Sequence, residues 1–166
     1  EALAYMHGKG YIHSDVKPQN IFLAKKPKDP SDLLNVDFKL GDLGSAVRVG
    51  KPIVQLSDEY APPEAFLDVA KPGMNVFALG ITLYVLLTRK NDRPDLQIMK
   101  MAFDCYTTND TNCVKQKVEE SKRLLASWDP EVNEPYKSLI KRMTDPDPTK
   151  RPTADGVAKE LSKLQP

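Results

Sequence analysis

Apolar residues fall in short, separated clusters along the first third of this chain and in longer periodic stretches thereafter. Glu1–His7 carries Leu3, Met6 and His7 on one side and stops at Gly8-Lys9-Gly10, as the tail of a helix does. Tyr11-Ile12-His13 leads into a polar run, Ser14 to Asn20, and then into the strand-type run Ile21-Phe22-Leu23-Ala24. Val36, Phe38 and Leu40 alternate with Asp37 and Lys39, the period of a strand. The intervening residues 25–35 include Pro27, Asp29, Pro30, Ser31 and Asp32 and read as a loop. Two short strands around a charged loop predict a β-hairpin. Gly41 and Gly44 then punctuate a long irregular segment that reaches Glu64.

The remainder predicts helices. Residues 74–88 are the most apolar stretch, but too short for the roughly 20 residues that span a bilayer, and interrupted by Asn75, Gly80 and Thr82. This predicts a helix buried on all sides in a globular core rather than a membrane span. Arg89 and Lys90 close it, where cations suit a helix C-terminus. Leu96 to Tyr106 reads as helix after a loop around Arg93-Pro94-Asp95. Val114, Val118 and Leu125 share one face of another, and Pro135 starts a further one with Leu139, Ile140 and Met143 inward. Thr153 is the expected N-cap of a last helix with Val157, Leu161 and Leu164 at i, i+4 and i+7. The expected fold class is mainly α with a small hairpin near the start.

Composition narrows the possibilities. At 166 residues and 40% hydrophobic, the chain suits one domain with a real core. Its 24 Lys+Arg against 23 Asp+Glu give a net charge of +1, less basic than a protein that binds nucleic acid by bulk phosphate attraction. Two cysteines are too few for a disulfide-dense scaffold or a four-cysteine zinc site. The chain opens on Glu1 with no signal-peptide pattern, so its first residue is expected to lie inside a longer protein.

The chemistry is concentrated in His13-Ser14-Asp15-Val16-Lys17-Pro18-Gln19-Asn20, which places an acid, a base and an amide at i, i+2 and i+5 of one loop. Twenty-two residues past Asn20 a second acid stands in Gly41-Asp42-Leu43-Gly44. These residue types suit phosphoryl transfer. A carboxylate can orient and deprotonate a hydroxyl, and an ammonium can neutralise charge on a moving phosphoryl group. An amide oxygen and a second carboxylate can hold magnesium, a hard ion that takes oxygen ligands.

In this arrangement the chain resembles the larger, C-terminal lobe of eukaryotic protein kinases. The family pattern H-R-D-L-x-x-x-N is matched at His13, Asp15, Val16 (for Leu) and Asn20, with Ser14 in place of Arg. D-F-G is matched by Asp42-Leu43-Gly44, A-P-E by Pro62-Pro63-Glu64, D-x-W-x-x-G by Asn75-Val76-Phe77-Ala78-Leu79-Gly80, and a late Arg-Pro by Arg151-Pro152. Each alone is weak. Their order and intervals over nearly the whole chain carry the resemblance.

The resemblance implies roles by position. Asp15 would accept or orient the substrate hydroxyl proton. Lys17 would sit near the γ-phosphate of ATP and marks the serine/threonine class. Asn20 and Asp42 would hold two magnesium ions. Phe22 would press on the adenine ring. Ser57, seven residues before Glu64, would bridge Asp15 and Lys17. Glu64 and Arg151 would form a buried ion pair. His13 would pack with Leu43 in an apolar spine. Taken singly, Asp15 and Asn20 read as loop caps and Asp42 as a turn residue.

No glycine-rich loop and no strand lysine of the V-A-I-K type occurs in this chain. In the resembled family both precede this region, so residues 1–166 are expected to supply only the floor of the ATP cleft. The expected partners are a protein substrate and the missing N-terminal lobe, with no nucleic acid and no membrane span. The isolated chain is then expected to show little activity and to expose apolar surface. A pseudokinase acting as a binding or scaffold module is the alternative. A small-molecule kinase is a third reading, disfavoured by the substrate-loop motif at Tyr60 to Glu64. Cys105 and Cys113 are expected to be free thiols in a polar loop, in a cytoplasmic setting. With Asn109-Asp110-Thr111 as a glycosylation acceptor, a secreted chain with those cysteines bonded is the alternative, similar to the rhoptry kinases of apicomplexan parasites.

Four departures from the pattern matter. Leu43 for Phe is mild. Asn75 for Asp keeps an acceptor and loses a charge. Pro62 for Ala stiffens the chain. Ser14 removes the arginine that clamps an activation-loop phosphate in relatives, and a hydroxyl cannot replace a guanidinium fork. Activity of the full-length protein is therefore expected not to require phosphorylation of the 45–57 segment. Quantitative phosphatase treatment should leave the rate unchanged, and activation by a phosphate on Ser45 or Ser57 would refute this.

Overall fold

The computed structural model describes residues 1–53 and 55–164. In chain order it comprises α1 (Ala2–Gly8), β1 (Tyr11–His13), β2 (Ile21–Leu23), β3 (Phe38–Leu40), β4 (Ala46–Arg48), α2 (Pro72–Thr88), α3 (Leu96–Thr107), α4 (Thr111–Ala126), α5 (Tyr136–Met143) and α6 (Ala154–Ser162). Short 3₁₀ turns at Pro18–Asn20, Pro30–Asn35, Leu43–Ser45, Pro63–Phe66 and Pro148–Lys150 join them. The mainly helical expectation holds.

The expected hairpin is β2–β3, antiparallel, with Ile21 opposite Leu40 and Leu23 opposite Phe38. Its loop is not featureless. Asp29 and Asp32 cap the Pro30–Asn35 turn reciprocally, which satisfies its first backbone amides. The segment after Gly41 is also more regular than its sequence suggests. Residues 46–48 form β4, which pairs antiparallel with β1: Tyr11 faces Arg48 and His13 faces Ala46. The two ladders are nested, β1–β4 outside and β2–β3 inside. No alternation marks these three-residue strands, because His13 and Ile12 are both buried while Arg48 is exposed.

The helices form the body. Proline at the first position starts α2, and Arg89 ends it in a left-handed conformation, φ 60°. Phe77 and Ile81 on α2 have no exposed surface, and they pack with Leu3, Leu125, Leu139, Met143 and Val157 from α1, α4, α5 and α6. Gly80 lets α2 and α5 approach closely. A Cβ there would lie 2.9 Å from Met143 Cβ and 2.9 Å from the Thr144 methyl. Burial on all sides does not extend to the end of α2, where Leu86 and Leu87 are exposed. Thr153 caps α6 as expected, accepting from the Gly156 amide at 3.0 Å. Among the described residues, no helix is long and apolar enough to cross a membrane.

A smaller cluster places Phe66, Met99, Ala102, Val114 and Val118 between the 63–66 turn, α3 and α4. Cys105 and Cys113 lie here on helices, not in a loop, and they are bonded to each other, with Cα atoms 5.7 Å apart. This corrects the free-thiol expectation. The bond follows from geometry that the sequence does not display. The tight α3–α4 turn, capped by Asp110, brings positions eight apart together. Closing so short a loop removes unfolded-state entropy worth about 2–3 kcal/mol. Replacing both cysteines with serine is expected to lower the unfolding free energy by about that amount. An unchanged denaturation midpoint, with the bond confirmed by non-reducing mass analysis, would refute it.

Candidate active site

The nested ladders decide which residues meet. The loop 14–20 joins the outer strand β1 to the inner strand β2, and the loop 41–45 joins the inner strand β3 to the outer strand β4. Both loops therefore cross between the same two ladders, side by side. Backbone bonds staple them at each end: Gly41 N–H donates to Asn20 C=O at 2.7 Å, and Ser14 N–H donates to Ser45 C=O at 3.0 Å. Two distant polar segments become one surface.

Asp15 is at the centre, with its side chain only 4% exposed. Ser57 Oγ donates to its Oδ1 at 2.7 Å. Lys17 Nζ lies 3.3 Å from Oδ2 and donates to Ser57 Oγ at 3.1 Å. Acid, lysine and hydroxyl thus form the closed triangle that the resemblance implied. Asn20 Nδ2 donates to the Asp15 carbonyl at 2.7 Å, which turns its Oδ1 the other way.

Asp42 reaches the same cluster. Its backbone is left-handed, φ 56°, a conformation costing a non-glycine residue on the order of 1 kcal/mol. Ser45 Oγ donates to Asp42 Oδ2 at 2.7 Å and lies 3.2 Å from Gln55 Oε1. Gln55 Nε2 in turn donates to Asp15 Oδ2 at 3.2 Å. Asp15 and Asp42 are therefore joined through two side chains, those of Gln55 and Ser45. No motif signals Ser45 or Gln55; only the β1–β4 pairing brings them in. Phe22 is 53% exposed beside these groups and lies against Gly41. A Cβ at Gly41 would fall 2.3 Å from the Phe22 ring, so a side chain there would require this exposed ring to move.

Leu43, the expected apolar neighbour of His13, is 63% exposed in this chain. The fully buried imidazole links the two loops. Gly41 C=O can only accept, so Nε2, 2.7 Å away, carries the proton; the Asp15 amide can only donate, so Nδ1, 3.0 Å away, accepts. Asn75 of α2 holds His13 in turn. Its Oδ1 accepts from the His13 amide at 3.0 Å and from His7 Nε2 at 2.9 Å, while its Nδ2 donates to the His13 carbonyl. The asparagine therefore clamps both backbone groups of His13, and an aspartate could serve only one. Ser14 likewise has its own job, donating to the Ser45 carbonyl at 2.6 Å.

The segment after Ser57 is pinned by two buried guanidinium groups. Arg151 meets Glu64 in a two-pronged pair, 2.5 and 3.1 Å, as expected. Arg93, read as a loop residue in the sequence, is fully buried with Asp95. It donates to Asp95 at 2.7 and 2.6 Å and to the carbonyls of Glu59 and Ala61 at 3.2 and 2.9 Å. Ser121 completes this site by donating to Asp95 at 2.5 Å. Burial pushes the Tyr60 phenol above its ordinary value, with the Glu59 carboxylate adding to the effect, so Tyr60 stays neutral beside the cluster.

The helical body thus carries acid, lysine, amide and second acid on one pair of adjacent loops. Residues 1–161 match the protein kinase domain, and the chain belongs to that family. It is 37% identical over 179 residues to the serine/threonine-protein kinase ArnS of Sulfolobus acidocaldarius, covering 97% of this chain and 28% of that protein. Calcium-dependent protein kinase 10 of Arabidopsis thaliana is 34% identical over 170 residues, covering 95% and 26%. Wee1-like protein kinase 2 of Homo sapiens is 28% identical over 174 residues, covering 95% and 28%. The chain thus spans a little over a quarter of the length of these relatives.

The two-ended clamp at residue 75 has a measurable consequence. Asn75→Asp should leave the His13 carbonyl facing a carboxylate in a dry site and cost about 1–3 kcal/mol of stability. Equal or greater stability of the aspartate variant in denaturant unfolding would show that the amide donor is dispensable.

Proposed function

We propose that this chain is the large, C-terminal lobe of a serine/threonine protein kinase that, in the complete protein, transfers the γ-phosphoryl group of ATP to a protein hydroxyl. The observation that carries this reading is the Asp15–Lys17–Ser57 triangle, 2.7 to 3.3 Å on its sides, joined through Gln55 and Ser45 to Asp42. Asp15 orients the substrate hydroxyl and takes its proton as the oxygen bonds to the γ-phosphorus and the bond to ADP breaks. Lys17, with its side chain 26% exposed, presents positive charge to the moving phosphoryl group while holding Ser57. Ser57 fixes Oδ1 of Asp15, so that the other carboxylate oxygen faces the reaction.

The residues present fit magnesium. Asn20 Oδ1 and the Asp42 carboxylate are hard oxygen donors, and the β2–β3 register puts Asn20 and Asp42 at one end of the hairpin. An ion held there would neutralise charge on the phosphate oxygens, from which it would take its remaining ligands. Phe22 offers an exposed ring to the adenine. Exposed Phe22, Leu23, Phe38 and Leu43, all on the inner hairpin or the turn after it, are the surface that an N-terminal lobe would cover. The 58–64 segment, pinned by Arg93 and Arg151, would seat the protein substrate.

In the full-length protein, Asp15→Asn is expected to lower phosphoryl transfer by about 10² or more while leaving ATP binding in place. Asp42→Ala is expected to abolish the magnesium-dependent part of the thermal shift produced by ATP. Equal magnesium–ATP stabilisation of wild type and Asp42→Ala would remove Asp42 from the site, and an active Asp15→Asn would remove the mechanism.

A further inference from the structure

Gln55 differs from every other group that touches Asp15. Lys17 and Asn20 lie on the same loop as Asp15, and Ser57 is locked between Asp15 and Lys17. Gln55 reaches in from the segment between β4 and the 63–66 turn and is itself exposed, while Ile53, Leu56 and Ser57 near it are half-buried. Its hold on the site is slight. Ser45 has one hydroxyl hydrogen and two acceptors within reach, and the charged Asp42 oxygen at 2.7 Å outcompetes the Gln55 amide oxygen at 3.2 Å. Gln55 is then retained chiefly by the single bond from its Nε2 to Asp15 Oδ2.

That bond occupies the oxygen that matters. Ser57 fills Oδ1 at 2.7 Å, while Oδ2 meets Lys17 at 3.3 Å, Asn20 at 3.4 Å and Gln55 at 3.2 Å. Oδ2 has about two lone-pair positions and three donors within 3.4 Å, so a hydroxyl arriving at this oxygen must displace one of them. Lys17 and Asn20 are each held by a second bond, to Ser57 Oγ and to the Asp15 carbonyl, whereas the exposed Gln55 can swing into solvent.

We propose that Gln55 is a specificity-determining residue whose amide keeps the acceptor position on Asp15 closed until a bound protein substrate displaces it. This rests on Asp15 receiving the hydroxyl proton, as argued above. The amide then discriminates against water. Water attacking the γ-phosphorus would give ADP and inorganic phosphate, its proton passing to Asp15, but it brings no binding energy with which to move Gln55. A protein substrate gains that energy from contacts elsewhere on its chain.

The test uses the full-length protein with magnesium–ATP, measuring phosphate release without acceptor and phosphoryl transfer to casein or to the protein itself. In Gln55→Ala, phosphate release is expected to rise about threefold to tenfold, the worth of one such hydrogen bond. KM for casein is expected to fall, with the change in kcat/KM carried by KM. An active wild type, silenced by Asp15→Asn, whose Gln55→Ala variant shows unchanged phosphate release or a raised KM overturns this inference alone. A wild type that transfers phosphate to no acceptor overturns the kinase reading and this inference together.

Discussion

The nesting of two three-residue ladders is the constraint on which the rest of the molecule depends. Backbone pairing of β1 with β4 and of β2 with β3 forces two loops, separated by some twenty residues of sequence, to run side by side. Strands this short are marginal by themselves. They persist because His13, buried between the loops, satisfies the Gly41 carbonyl and the Asp15 amide with one ring, and because Asn75 of the central helix grips His13 by both backbone groups. The polar cluster is thus anchored to the hydrophobic core through one helix-borne amide.

The same helix organises the second half of the site. Two guanidinium groups, those of Arg93 and Arg151, lie 5.0 and 4.9 Å from the centroid of the Phe77 ring, which has no exposed surface. Each is also paired with a buried carboxylate and holds backbone carbonyls. Desolvation offsets much of the attraction in such pairs, so their value lies less in net stability than in what breaking them would leave behind: an unpaired charge in a dry interior, at several kcal/mol. The effect is to fix the path of residues 58–64 relative to Asp15 and Ser57. Tyr84, whose phenol is raised to about 12, chiefly by burial, and which donates to Asp92, extends the rigid frame on the far side of α2.

Departures from the family pattern become intelligible in three dimensions. Ser14 donates directly to the backbone of the neighbouring loop at 2.6 Å. Asn75 loses the charge of an aspartate and gains a donor that the His13 carbonyl uses.

Sequence pattern alone determined the helices and the existence of the inner hairpin, because a buried helical stripe is written at i, i+3 and i+4, but it did not determine which hairpin side chains turn inward, since Phe22, Leu23 and Phe38 are exposed. The polar motif around Asp15 and Asn20, and the second acid at Asp42, were likewise legible, since their chemistry depends on residue type and local spacing. What only the tertiary structure decided was long-range pairing: β4, the Ser45–Gln55 link, the buried Arg93–Asp95–Ser121 group, the role of His13 and the Cys105–Cys113 bond. None of these has a local signature. A three-residue strand carries too few positions to show alternation, and an isolated arginine, glutamine or cysteine looks solvent-facing until the fold brings its partner to it.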